Sequence, residues 1–138
     1  MMRNKGIQYQ QYEVINVKPL IIKFYVKDEN ITLMLYMIPQ VVEIEDNKVV
    51  SVVSTSALSI FSDKPKMGEL CSPQKLNSRT PVIPEYDIAS EGTTEIKVND
   101  KKVKIRAKIT NINVYPDLRD SFGNPCVNVS WIQSIDVE

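Results

Sequence analysis

Histidine is absent from the 138 residues of this chain, and glycine occurs only four times. The first absence removes the side chain that most often serves as a general base near neutral pH, and with it the commonest nitrogen ligand for zinc. The second leaves no glycine-rich loop to cradle a phosphate. Two cysteines, Cys71 and Cys126, are too few for a four-thiolate metal site. An excess of one charge is missing too. Seventeen basic and seventeen acidic side chains cancel, so no whole-molecule field draws the chain to nucleic acid or to an anionic membrane. The longest uncharged stretches, 30–42 and 49–62, are too short to span a bilayer, and Pro39 interrupts the first. The first sixteen residues hold no apolar run of signal-peptide length. These absences lead to the expectation of a cytoplasmic protein that does not enter membranes, holds no metal or cofactor, and is more simply a binding protein than an enzyme. Two glycosylation-type triplets, at Asn30 and Asn128, then read as chance matches in strand-like sequence.

What is present is alternation. Leu20, Ile22, Phe24 and Val26 interleave with Ile21, Lys23, Tyr25 and Lys27, the pattern of a strand with one packed and one wet face. A turn at Asp28, Glu29 and Asn30 leads into Ile31–Ile38, where both alternating sets are mostly apolar, so this strand is expected to be covered on both sides. Its second set supplies the candidate interface residues Met34, Tyr36 and Ile38. Asp46-Asn47 between apolar runs predicts a hairpin with a type I′ turn, and Asn99-Asp100-Lys101 predicts another. Val103, Ile105, Ala107 and Ile109 keep one phase, whereas Ile112 and Val114 take the other, which places a β-bulge near Thr110 and Asn111. Tyr115–Pro125 reads as a loop rich in turn residues, and a last strand from Cys126 is expected to pair with the bulged one. Residues 62–93 hold four prolines and read as a long irregular loop. A short helix over Ala57–Phe61, capped by Thr55 or Ser56, is the one helical signal, and residues 1–10 are expected to form a flexible N-terminus.

The fold expectation is therefore a single all-β domain over 1–138, an antiparallel small barrel or coiled sandwich with little helix, an OB-like barrel being one version. Chemistry-bearing features are sparse. Lys102, Lys104, Arg106 and Lys108 occupy alternate positions of the bulged strand and form a basic stripe on one sheet face. Such a stripe could follow a phosphate backbone, with Lys23, Tyr25 and Lys27 adding cations beside an aromatic if their strand lies next to it. The simpler reading is a solvated face whose lysines meet Glu95 across the hairpin.

Asp117, Asp120 and Asn124 offer oxygen ligands at a spacing no calcium loop uses, and an ordinary turn built on Gly123 explains them better. Glu85 and Asp87 flank Tyr86 as a possible acid and base pair, but an acidic solvated loop is the simpler reading. Cys71 is a thiol with no histidine to activate it, and Cys126 reads as a small core residue. A bond between the two is undecided by sequence and disfavoured by a cytoplasmic setting. The function expected is an interaction module that binds a protein partner or a second copy of itself. Single-stranded nucleic acid binding is the alternative, and a carboxylate-based hydrolase is a remote third.

Overall fold

A computed structural model describes residues 6–138. Ten strands and one short helix follow in the order β1 (Gln8–Gln10), β2 (Glu13–Lys18), β3 (Leu20–Val26), β4 (Glu29–Glu45), β5 (Lys48–Ser62), β6 (Glu69–Leu70), α1 (Pro73–Asn77), β7 (Tyr86–Ser90), β8 (Thr93–Val98), β9 (Lys101–Arg119) and β10 (Pro125–Val137). Among the described residues they form two five-stranded sheets and no closed barrel, so the all-β expectation stands in the form of two packed sheets. In the first sheet β4 carries β5 along one edge, and β3 followed by β1 along the other, with β7 outside β3. In the second, β9 lies between β10 and β8, and β2 pairs outside β8. Pairing is antiparallel except where β6 runs parallel to the end of β9.

The period-two pattern sets which side chains meet between the sheets. Leu20, Ile22, Phe24 and Val26 of β3, with Ile31, Leu33 and Leu35 of β4, pack against Ile109, Ile112 and Val114 of β9. A second cluster joins Met37, Val42 and Ile44 of β4 and Val52 of β5 to Ile96 and Val98 of β8 and to Val103 and Ile105 of β9. Both long strands change phase within their length. On β9, Ser130 faces Asn111 and Trp131 faces Ile109, which leaves Thr110 as the extra residue expected from the sequence. On β4, Pro39 faces Ser54 and Val41 faces Val53, so Gln40 plays the same part.

The Asp46-Asn47 turn has both residues at positive φ, 50° and 61°, as a type I′ hairpin requires. Other expectations are corrected. The turn after β3 is Lys27-Asp28, and Glu29 already pairs with Val26, because Lys27 takes the left-handed conformation at φ 56°. Ala57–Phe61 is strand, since that stretch pairs residue by residue with β4 from Tyr36 back to Thr32; the local capping signal yields to the ladder. Residues 62–93 are not one irregular loop: they contain β6, α1 capped by Ser72, a bridge from Val82 to Val114, and β7. Tyr115–Arg119 continues β9 rather than opening a loop. In the expected flexible N-terminus, Gln8–Gln10 pairs with β4, and residues 1–5 lie outside the described residues.

Candidate functional site

The basic stripe exists as geometry. Lys102, Lys104, Arg106 and Lys108 alternate with the inward Val103, Ile105, Ala107 and Ile109 and so share the outer face of the second sheet. Acids meet half of it. Lys102 lies 4.0 Å from Glu95, and Lys104 lies 3.0 Å from Glu138, whose hydrogen bond raises the lysine pKa and lowers that of the glutamate. Lys23, Tyr25 and Lys27 do not join the stripe, because β3 belongs to the other sheet. Lys23 and Tyr25 instead line a depression of about 660 Å³ that Glu85, Tyr86 and Asp87 also line. Lys27 faces Asp117 at 3.9 Å.

Asp120 binds its own turn: its Oδ1 accepts from the backbone N–H of Phe122 and of Asn124, at 2.8 and 3.0 Å, and Gly123 supplies φ 89°. Among the described residues no cluster of acids and cysteines is placed to hold a metal ion.

The strand Ile31–Ile38 is not covered on both sides. Its inward set is buried, but Met34 and Tyr36 are half-buried and Ile38 is 41% exposed on the outer face of the first sheet. Beside them on β5 stand Ala57, Ser59 and Phe61, the last 54% exposed. β5 is itself an edge. Along its fifteen residues its one strand partner among the described residues is β4, and between Val49 and Ser62 it has neither charge nor proline. On the inward side β10 approaches it: Trp131 Nε1 donates to Ser56 Oγ at 3.2 Å, and Gln133 Nε2 donates to the carbonyl of Val52 at 2.7 Å. Two buried atoms at that seam, Ser54 Oγ and Gln133 Oε1, have no hydrogen-bond partner among the described residues.

Two features escaped the sequence. Glu29 and Arg119, 1% and 4% exposed, form a bidentate pair in which Nη1 and Nη2 each donate at 2.7 Å. Ser62 Oγ donates to the same carboxylate at 2.7 Å, and Arg119 also donates to the carbonyls of Pro116 and Gly123. The guanidinium hydrogen bonds lower the Glu29 pKa against the opposing effect of burial. The phase of β4 carried the signal for Glu29, which sits two residues before inward Ile31 and four before inward Leu33. The second feature is a disulfide between Cys71 and Cys126, with Cα atoms 6.1 Å apart, so Cys71 is not the free thiol considered above.

Comparison with models of known families, with curated proteins and with solved structures found nothing that matches the chain. Among the described residues no helix is long and apolar enough to cross a membrane. What the protein does is therefore read from its own surface.

Proposed function

We propose that this domain is a non-enzymatic β-sandwich interaction module that pairs with a second copy of itself along β5. One observation carries the reading: a fifteen-residue edge strand with no charge or proline between Val49 and Ser62. Edges of this kind are ordinarily blunted by lysine, proline or a covering element, because their unpaired backbone groups recruit another strand. A two-fold axis sets each edge residue opposite one from the same strand, so a charged edge confronts its own charge. β5 has none to confront. Met34, Tyr36 and Ile38 extend the apolar outer surface beside it, which supports the same reading.

The test is sedimentation velocity over a wide concentration range, with Ala57→Lys/Ser59→Lys as the variant. Both positions face outward on the edge strand, and the new lysines meet their counterparts across the axis. Dimerisation in the unaltered protein that is lost in the variant, with unchanged thermal melting, is the expected result. A monomer at every concentration, or a dimer indifferent to the two lysines, overturns the proposal.

Single-stranded nucleic acid binding has less support. Lys102 and Lys104 are engaged by acids, the sheets leave no closed OB-like barrel, and neither β8 nor residues 101–114 contain an aromatic side chain on which a base could stack. The disulfide favours a compartment that keeps thiols oxidised over the cytoplasm expected from the sequence.

A further inference from the structure

Each sheet has a place where a long strand outruns its neighbours, and the two places are treated differently. On β4, β3 ends opposite Leu35 and β1 begins opposite Val42. Side chains fill the interval: Thr94 Oγ1 donates to the carbonyl of Met37 at 2.6 Å, and the Tyr12 hydroxyl donates to that of Pro39 at 2.7 Å. On β9, β8 pairs only as far as Ile105, and the next neighbour on that side is Val82, opposite Val114. Among the described residues, neither a strand nor a side-chain hydrogen bond occupies that side of β9 from Arg106 to Asn113.

The orientation of the backbone in this gap follows from its bonded neighbours. Glu138 N–H donates to the carbonyl of Lys102, so the even-numbered residues before the bulge aim at β10. Ala107 and Ile109 consequently aim their N–H and C=O groups into the gap. Beyond Thr110 the parity reverses, and both backbone groups of Val114 bond Val82. Ile112 therefore joins the gap-facing set. At about 3.3 Å per residue, the open stretch accommodates an extended segment of roughly six residues.

The surroundings define the chemistry of that segment. Leu20, Ile88 and Ile109 contribute apolar walls to a cavity of about 300 Å³ beside the gap. Arg106 and Lys108 line the same cavity from the outer face, and unlike Lys102 and Lys104 neither has an ion-pair partner within 4 Å among the described residues. Among the described residues Glu91 is the one acid on its wall.

We infer that the gap between β8 and Val82 receives an extended peptide in which acidic residues alternate with apolar ones, added to β9 as a strand. The guest's backbone takes up the groups of Ala107, Ile109 and Ile112. Its inward side chains pack on Leu20 and Ile88, and its outward carboxylates stand opposite Arg106 and Lys108. This surface is separate from the β5 edge, so either proposal can stand without the other.

The experiment is a fluorescence-anisotropy titration of the full oxidised chain with labelled hexapeptides of alternating valine and glutamate or alternating valine and lysine, at low and at physiological salt. The glutamate peptide is expected to bind about ten-fold more tightly, since two favourable cross-strand charge pairs replace two repulsive ones. Salt narrows the difference, and Arg106→Glu/Lys108→Glu reverses it. Ala107→Pro removes a gap-facing N–H that β10 does not use and is expected to abolish binding of both peptides. The charge-reversed variant, altered only at exposed positions, decides the matter even if the proline variant fails to fold. Binding of neither peptide, equal binding of both, or an unreversed preference in the charge-reversed variant overturns the inference.

Discussion

Arg119 Nη1 and Nη2 each donate at 2.7 Å to the two carboxylate oxygens of Glu29, and this pair joins the end of β9 to the start of β4 across the two sheets. The residues are 90 apart in sequence. Both charges have left water, so the pair is held in place by completeness of bonding: Ser62 supplies a further donor to the carboxylate, and the carbonyls of Pro116 and Gly123 take remaining guanidinium protons.

Removing one partner strands the other. Glu29→Gln is expected to cost about 3–5 kcal/mol in urea unfolding, because it leaves the Arg119 charge buried without its counterion. Replacing both residues by methionine is expected to recover most of that loss. A double variant as unstable as the single one would show that the charges, and not only their mutual satisfaction, hold the sheets together.

The same pair makes stability depend on acidity with a definite sign. The folded-state pKa of Glu29 lies below the ordinary value of 4.5, chiefly through the Arg119 hydrogen bonds. Its contribution is complete above that value and is lost as pH falls through the lowered folded-state pKa. Urea midpoints measured downward from pH 6 should therefore fall more steeply for the unaltered protein than for Glu29→Gln.

The Cys71–Cys126 disulfide closes a separation of 55 residues and ties the segment before α1 to the start of β10. Loop-closure entropy for a ring of this size is worth about 4 kcal/mol. Cys71→Ser/Cys126→Ser is expected to lower the thermal midpoint by roughly ten degrees or more, measured by calorimetry beside the unreduced parent. An unchanged midpoint would mean that the β6–β9 pairing, the Val82 bridge and the backbone bonds of Lys66 and Cys71 hold the 62–85 segment without the disulfide.

The chain crosses between the sheets twice at one corner, at Pro19 between β2 and β3 and at Glu91-Gly92 between β7 and β8. The two crossings touch there: a Cβ on Gly92 would overlap the backbone of Pro19 and Leu20. Gly92→Ala is expected to destabilise by about 1–3 kcal/mol through backbone displacement. Gly68→Ala, whose Cβ would stand 3.0 Å from the Cγ of Arg119 and overlaps no backbone atom, should cost less in the same denaturation assay.

Period-two alternation alone determined the all-β class, the inward faces of β3, β4 and β9, the I′ turn at Asp46-Asn47 and the bulge at Thr110, because each is a local consequence of side chains alternating across a pleat. The basic stripe was legible for the same reason. Its company was not: whether Lys23 and Tyr25 stand beside Lys104 depends on which sheet β3 joins, and strand order is a property of long-range pairing. The turn signals at Asp28 and at Tyr115–Pro125 misplaced two strand ends, since Glu29 and Arg119 are strand residues whose burial becomes tolerable only in each other's presence. Tertiary structure likewise decided the disulfide and the two unfilled strand edges. Bonds between distant residues, and the places where such bonds are missing, follow from how the sheets stack and not from any local run of amino acids.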